Sequence, residues 1–455
     1  MKEKLLRIVR ALLPEDAYRR LLATYHLWLA YLGAFFYGYP SRKLFVIAVT
    51  GTKGKSSTVE IIRAMLREAG YKTAAASTIQ FCIGDQCEPN LYKMTMVGRF
   101  FLQKFLRQAV DEGASHAVIE MTSEGAAQFR HKAIELDALV FTNLAPEHLE
   151  SHGGMERYAA AKLSIAEHLA QSPKRPRIIV ANADDAYGAQ FLATQVEVRA
   201  PFSLADAAPY TADENGARFF WRGQLWNAPL PGVFSLKNIL AALALGEALG
   251  LPQETMRRAL EKTSVIAGRA QRIERGQSFT VIVDYAHTPD SLRALYETFG
   301  TSTAALVAAA PAPHRKKAKS PADAGEKNAA RSKRRICVLG STGGGRDTWK
   351  RPAMGAIADE FCDLAFITDE DPYDEDPRQI IDAIAQGFSR VTPRIIMDRR
   401  EAMAAAFREA RAGDVVLITG KGTDPYIMRA GGTREPWSDK RVAEEELDVL
   451  LTTKA

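Results

Sequence analysis

Residues 43–50 (KLFVIAVT) are almost continuously apolar and run into Gly51, so they read as a buried strand emptying into a loop. Apolar residues then return at helical spacing, at Val59, Ile62, Met65 and Leu66, which predicts a helix over 56–69. Short apolar runs recur at 116–121, 138–142 and 177–181, with helical stretches between them. A second series begins near Ser264, with strands predicted at 279–283, 336–339, 364–368 and 415–419. Strand and helix alternating in this way predict an α/β fold: a central domain with a mainly parallel sheet, then a second α/β domain. No internal repeat is visible.

The first 40 residues follow a different pattern and read as one or two helices ending at Tyr39-Pro40. Residues 21–39 contain no Asp, Glu, Lys or Arg, and Arg19, Arg20, Arg42 and Lys43 flank them. A spanning helix needs ~20 apolar residues. This stretch is interrupted by His26, glycines and several tyrosines, so an interfacial or core-packed helix fits better than a span. Weak association with a membrane surface through 21–39 stays open.

At 455 residues the chain is too long for one core. The expected domains are a short helical segment over 1–40, a central domain over 41–263 and a C-terminal domain over 264–455. The formal net charge of +6 would suit nucleic acid, an anionic surface or a phosphorylated substrate. Much of the basic charge, however, sits in 308–335, which is rich in Ala, Pro, Lys and Arg and lacks bulky apolar residues. That composition predicts a disordered, solvated surface insertion rather than a nucleic-acid site. The four cysteines, Cys82, Cys87, Cys337 and Cys362, show no CxxC spacing and no zinc pattern. Reduced cysteines in a cytoplasmic protein are expected, and no secretory signal is apparent.

Between the first strand and helix lies Gly51-Thr52-Lys53-Gly54-Lys55-Ser56-Ser57. Glycines let backbone N–H groups approach phosphate oxygens, and the helix N-terminus adds a positive dipole end. In that context Lys55 reaches terminal phosphates and Ser56 can ligate Mg²⁺. The strict GxxxxGK[ST] pattern fails, because Val49 holds the first glycine position.

This GTxGK[ST][ST] form resembles the loop of Mur ligases and folylpolyglutamate synthetases, which share a central ATPase domain and a C-terminal Rossmann-like domain. Further motifs are similar to the tripeptide-synthetase branch of the Mur ligases. Ile119-Glu120-Met121-Thr122-Ser123 ends a predicted strand, and residues 142–153 (TNLAPEHLESHG) resemble the family's TNL..DHL..HG segment. The resemblance implies that Glu120 and His148 hold a second Mg²⁺. Tyr158-Ala159-Ala160-Ala161-Lys162 resembles the helix whose lysine is carbamylated, so Lys162 would take up CO₂ and become a metal ligand. Lys55, His148 and Lys162 are the implied catalytic residues.

Asn238 resembles the asparagine near adenine, and Arg269 the arginine that approaches the ATP phosphates. Residues 284–290 (DYAHTPD) match DYAH[TN]P[DE], carrying Asp284 and His287. Residues 343–352 resemble GGDRDxxKRP, 368–373 (TDEDPY) resemble TDDNPR, and 420–424 (GKGTD) resemble GKGHE. On the acceptor side Thr95, Thr122, Gln128 and Arg130 match positions that touch the muramoyl peptide. Met94 and Glu124 depart from the usual threonine and histidine. On the amino-acid side stand Asp371, Tyr373, Gly420 and Asp424, with Arg399 or Arg400 for the α-carboxylate. The arginine that reads diaminopimelate's distal carboxylate is Tyr373 here, which leaves lysine or another amine open.

The resemblance thus implies an ADP-forming, amide-forming ligase. It would use ATP and Mg²⁺ to join an amino acid to a UDP-N-acetylmuramoyl-peptide through an acyl phosphate, in peptidoglycan precursor synthesis. Small-molecule substrates and no nucleic acid are implied, in the cytoplasm or at the inner face of the membrane. The alternatives are the same chemistry on a different or lipid-linked carboxylate, or a non-catalytic nucleotide-binding module. The match runs from about Lys43 onward. The family's uridine-binding N-terminal domain finds no counterpart in 1–40, so the nucleotide would be held differently or be absent from the substrate.

Overall fold

The computed structural model describes residues 14–147, 149–300, 333–345 and 347–454. The chain divides into two compact units, Met1–Phe202 with Ala241–Met256, and Ser203–Leu240 with Arg257–Ala455.

In the first unit, helix α1 (Glu15–Phe36) precedes β1 (Phe45–Thr50) and α2 (Lys55–Glu68). Next come β2 (Thr73–Ala76), β3 (Gln80–Ile83), β4 (Gln86–Pro89), α3 (Arg99–Asp111), β5 (His116–Glu120), α4 (Ser123–Ala127) and β6 (Ala138–Phe141). Then follow α5 (Leu149–His152), α6 (Met155–Ala170), β7 (Ile178–Asn182), α7 (Gly188–Leu192) and β8 (Val198–Phe202). The eight strands lie in the order β4-β3-β2-β5-β1-β6-β7-β8. From β2 to β8 neighbours are parallel; β3 and β4 form an antiparallel edge. Ile47, Val49, Val118 and Val140 are as buried as Val46, Ala48, Ile119 and Leu139, so the central strands are covered on both faces. That is why they appear as continuous apolar runs rather than alternating ones.

The second unit opens with a small antiparallel sheet of β9 (Thr211–Asp213), β10 (Gly216–Trp221) and β11 (Gln224–Ala228). In β10, Ala217, Phe219 and Trp221 are buried and alternate with exposed residues, the signature of a strand covered on one face. Helix α8 (Gly232–Ala248) is divided between the units, and α9 (Gln253–Lys262) follows. The main sheet collects β12 (Gln271–Ile273), β13 (Thr280–Asp284), β14 (Arg335–Leu339), β15 (Leu364–Ile367), β16 (Arg394–Ile395) and β17 (Val415–Thr419) in the order β12-β13-β17-β14-β15-β16. Around it stand α10 (Pro289–Thr298), α11 (Lys350–Phe361), α12 (Pro377–Ala385), α13 (Arg399–Glu409) and α14 (Asp439–Lys454). All of its pairings are parallel except β12 with β13. Alternate residues of β14 and β17 belong to two separate apolar clusters, one on each face.

The predicted α/β class and the eight predicted strands are present, with ends shifted by a residue or so. Two expectations need correction. The cysteines are paired, Cys82 with Cys87 and Cys337 with Cys362, rather than reduced and separate. Cys82 and Cys87 sit directly opposite each other in the β3–β4 register, a juxtaposition that a spacing rule for metal sites does not anticipate. The inference of a cytoplasmic setting from free thiols therefore loses its basis. The insertion expected over 308–335 is also shorter at its end. Most of it lies outside the described residues, but Arg334 pairs with Asp414 and Arg335 opens β14. Among the described residues no helix is long and apolar enough to cross a membrane.

One ion pair in the second unit is completely internal. Arg399 Nε and Nη2 each lie 2.8 Å from an Asp439 carboxylate oxygen, and Nη2 also donates to the Thr419 carbonyl. This joins α13 and α14 to the end of β17. Asp439→Ala would leave a buried guanidinium unpaired, and we expect a loss of about 3–5 kcal/mol. Urea unfolding of the variant beside the parent measures it.

Candidate active site

Both main sheets bury their strands on two faces, so polar side chains gather where the strands end. In the first unit β1, β2, β5 and β6 are parallel neighbours, and their carboxyl ends release Gly51, Ser77, Met121 and Thr142 along one edge. This is the edge where open α/β sheets carry their ligands.

The glycine loop is braced from the next strand end. Thr52 N–H donates to the Asn143 carbonyl (2.8 Å) and Lys53 N–H to Asn143 Oδ1 (2.9 Å). Asn143 Nδ2 and Thr142 Oγ1 in turn donate to the Lys53 carbonyl. Gly51 has φ +149°, and a Cβ there would fall 2.0 Å from Thr142 Oγ1, so only glycine fits. Lys53 reaches outward to Glu147 at 2.7 Å. Lys55 Nζ donates to the Thr52 carbonyl (2.9 Å) and stands 4.0 Å from Glu120.

Glu120, only 2% exposed, is the node of this region. Its Oε2 accepts from Ser56 Oγ (2.9 Å), Thr78 N–H (2.8 Å) and Thr78 Oγ1 (3.0 Å). Thr78 Oγ1 also meets Thr95 Oγ1 at 2.7 Å. The node therefore links the end of the glycine loop to the predicted acceptor side. Nearby, Lys162 is fully buried in α6, with Nζ 2.7 Å from the Gly51 carbonyl and 4.7 Å from the centre of the Tyr158 ring. Burial pushes the Lys162 ammonium well below the ordinary lysine range, and the charge on Lys55 pushes the same way. Tyr158 in turn bonds Thr52 Oγ1 at 2.9 Å.

Of the remaining acceptor-side candidates, Thr122 caps α4 by accepting from Gly125 N–H. Gln128 Oε1 accepts from Arg130 Nη2 at 2.8 Å, and Arg130 also donates to the Met96 carbonyl, holding the segment that carries Thr95. His148 lies outside the described residues. Among those described, no group of three His, Cys, Asp or Glu forms a metal cluster. The oxygen donors Ser56 and Glu120 are nonetheless the hard ligands a Mg²⁺–phosphate complex takes, and such complexes need few protein ligands.

The second unit repeats the arrangement. Its motifs follow the carboxyl ends of β13, β14, β15 and β17, which are parallel neighbours. Asp284 accepts from the Ala270 and Ala286 amides, both at 2.6 Å, tying the segment bearing Arg269 to the end of β13. The Arg269 guanidinium lies over the Tyr285 ring at 4.5 Å, and His287 Nδ1 donates to the Tyr285 carbonyl. Lys421, wholly buried, bonds Asp371 (2.9 Å) and Asp424 (3.3 Å). Burial alone would lower its pKa, but Asp424 and Asp371 hold it above the ordinary lysine value. A Cβ on Gly420 (φ +109°) would meet Glu370 Oε2 at 2.2 Å. Glu370 is buried, which raises its pKa, and Asp371 raises it further. Tyr373 adopts φ +54° and its side chain lies against Gly344. Asn238 is buried in α8. Arg399 is held by Asp439 inside the fold, and Arg400 pairs with Glu445 and Glu446.

Sequence reasoning overlooked Thr78, and it quoted Asn143, Glu147 and Tyr158 without giving them work. Thr78 follows the short strand β2, which carried no apolar run long enough to predict. Asn143 and Tyr158 stood inside quoted motifs, where a question about what braces the loop would have found them.

A strand–glycine loop–helix set over a buried carboxylate at a parallel sheet's carboxyl edge defines a nucleotide-binding α/β protein. The chain belongs to the Mur ligase family: it matches the Mur ligase middle domain over residues 49–246 and the Mur ligase glutamate ligase domain over 312–422. It is 36% identical to the UDP-N-acetylmuramyl-tripeptide synthetase of Roseiflexus sp. (strain RS-1), covering 93% of this chain and 82% of that one. The UDP-N-acetylmuramoyl-L-alanyl-D-glutamate--2,6-diaminopimelate ligase of Syntrophomonas wolfei is 34% identical, over 92% and 81%. A solved diaminopimelate ligase of the same description superposes with TM-score 0.57 at 28% identity, covering 90% of this chain and 79% of that one. Mycobacterium tuberculosis folylpolyglutamate synthase shares the fold, with TM-score 0.65 at 16% identity and coverage of 88% and 93%.

Two outcomes follow from this geometry. Thr78→Val removes the hydroxyl hydrogen bond to Glu120 and the link to Thr95, keeping the backbone N–H bond, and should slow ATP turnover about tenfold in steady-state assays. For Lys162 the folded pKa lies below the unfolded value of 10.5, so between the two the unfolded chain binds more protons and stability rises with pH. In CO₂-free buffer Lys162→Met should therefore be more stable than the parent at neutral pH, with the advantage shrinking as pH approaches 10.5. Denaturation midpoints across that range test it.

Proposed function

We propose that this protein is an ATP-dependent carboxylate–amine ligase that adds an amino acid to a UDP-N-acetylmuramoyl-peptide in peptidoglycan precursor synthesis. The observation that carries the reading is the Glu120 node, which connects Ser56 and the Lys55 loop to Thr78 and Thr95. The named relatives, similar over most of the chain, support it. Residues 41–263 serve as the ATP-binding domain and 264–455 as the C-terminal ligase domain.

The acceptor carboxylate takes the terminal phosphoryl group of ATP, leaving ADP and an acyl phosphate. The amine then attacks the acyl carbon, loses a proton and displaces phosphate, leaving an amide. Two anions must meet in the first step, and bound Mg²⁺ supplies the charge that offsets their repulsion. Residues 51–57 cradle the phosphates, Lys55 lies against the terminal ones, and Ser56, Glu120 and His148 serve the metal. Lys162, buried and pushed well below the ordinary lysine range, fits uptake of CO₂: the unprotonated Nζ bonds the CO₂ carbon, a proton leaves to solvent, and an amine becomes an anionic ligand. Asn238, Arg269, Asp284 and His287 serve the nucleotide. Thr95, Thr122, Gln128 and Arg130 serve the acceptor. Asp371, Tyr373, Gly420, Asp424 and Arg399 shape the amino-acid side. Tyr373 offers no guanidinium to a distal carboxylate, which favours lysine or another amine over diaminopimelate.

A second reading keeps the chemistry and presents the carboxylate from a lipid carrier at the cytoplasmic face of a membrane. The exposed apolar residues of α1 favour it.

The test is phosphate release by purified protein with ATP, Mg²⁺, UDP-N-acetylmuramoyl-L-Ala-D-Glu and an amino-acid pool, with products identified by mass. A lengthened peptide nucleotide, lost in Lys55→Ala by about 10²–10³-fold, is expected. Product only with a lipid-linked acceptor would replace the first reading by the second. ATP binding without product from either acceptor would overturn the ligase assignment.

A further inference from the structure

Helix α1 is built inside out for a protein in water. The residues it packs inward are small: Ala30 and Ala34 are buried, and Gly33 lies against Phe100 and Gln103 of α3. Leu22, Leu27 and Leu29 are half-buried, but its largest apolar residues point outward. Trp28, Phe35 and Phe36 are each more than 70% exposed, and Leu21 and Leu32 about half exposed. At 3.6 residues per turn, positions 21, 28, 32 and 35 fall on one stripe, with 36 beside it. Scattered surface apolar residues are ordinary, but a continuous aromatic stripe on one helix marks a surface made to be covered.

Charge distinguishes what covers it. A helix that pairs with a second copy normally flanks its apolar seam with acidic and basic residues that set the partner and register. Residues 21–41 contain no charged side chain. Basic residues flank it at both ends: Arg19 and Arg20, one turn after the acidic Glu15 and Asp16, before the stripe, and the exposed Arg42 and Lys43 after it. The chain before α1 adds Lys2, Lys4, Arg7 and Arg10 against the single acidic Glu3 in residues 1–10. Aromatic residues at the middle and cations at the ends suit the boundary between headgroups and acyl chains of an anionic bilayer.

We infer that α1 is an in-plane membrane anchor that seats its Leu21–Trp28–Leu32–Phe35–Phe36 face in an anionic lipid surface. This holds whichever acceptor the ligase uses, because it rests on the helix and not on the active site. It places the unit carrying the Glu120 node at the membrane surface through a helix lying in the plane of the interface.

The experiment is co-sedimentation of the full chain with phosphatidylcholine vesicles, with and without phosphatidylglycerol. Binding to the phosphatidylglycerol vesicles, weakened by salt, is expected. The double variant Trp28→Glu/Phe35→Glu should lose about tenfold or more of that binding while keeping ATP turnover. Lys43→Glu should weaken it less. No binding of the parent to either vesicle, or equal binding of the double variant, would overturn the inference. So would a concentration-dependent dimer in light scattering that the double variant abolishes without any vesicle binding, since the face would then belong to a second copy.

Discussion

Strands covered on both faces leave little room for polar chemistry except where they end. In the first unit β5, β1 and β6 run parallel with apolar residues buried on either side. Glu120 is the last residue of β5, so its carboxylate is both buried and at the edge. A buried carboxylate is costly unless hydrogen-bonded. Ser56 and Thr78 provide those bonds, and in doing so they fix the start of α2 and the segment after β2 relative to each other. The glycine loop, the buried Lys162 beside it and the Thr95 segment are then arranged around a single buried carboxylate.

The second unit meets the same constraint with more charge. Lys421, Asp371 and Asp424 form an internal cluster, and Arg399 with Asp439 forms another. Such pairs contribute little net stability, since desolvation offsets much of their attraction, but losing one partner is expensive. They act as fixed geometry: Asp371 also accepts from Met428 N–H, and Tyr373 N–H donates to the Met428 carbonyl, which aligns residues 371–373 with the segment after β17. Arg399 shows what a motif position leaves out. The fold places Asp439, forty residues on, against Nε and Nη2 of this arginine, so two of its three nitrogens are already occupied.

Much of the architecture was legible because double-sided burial writes itself into sequence as uninterrupted apolar runs. β1, β5, β6, β7, β13, β14, β15 and β17 were all visible in this way. The strands that escaped are short or one-sided. β10 alternates, and β3–β4 ends in a hairpin whose outer strand is wholly exposed. Those strands are defined by pairing with neighbours rather than by their own composition. The same holds for the cysteine pairs: Cys82 and Cys87 meet through strand register, and Cys337 of β14 meets Cys362 at the end of α11.

By itself the sequence determined the α/β class, the glycine loop with Lys55 and Ser56, and the motifs that carry Glu120, Lys162 and Asp284. The class and the loop depend on residue type at short spacing, which local chemistry dictates, while the motifs were legible through their resemblance to the Mur ligases. Only the tertiary structure decided that Thr78 clamps Glu120, that Asn143 holds the loop, that Arg399 is committed to Asp439, and that α1 turns its small face inward and its aromatic face out. Those outcomes join residues distant in sequence or choose between faces of one helix. Both are settled by what packs against what, which spacing along the chain does not contain.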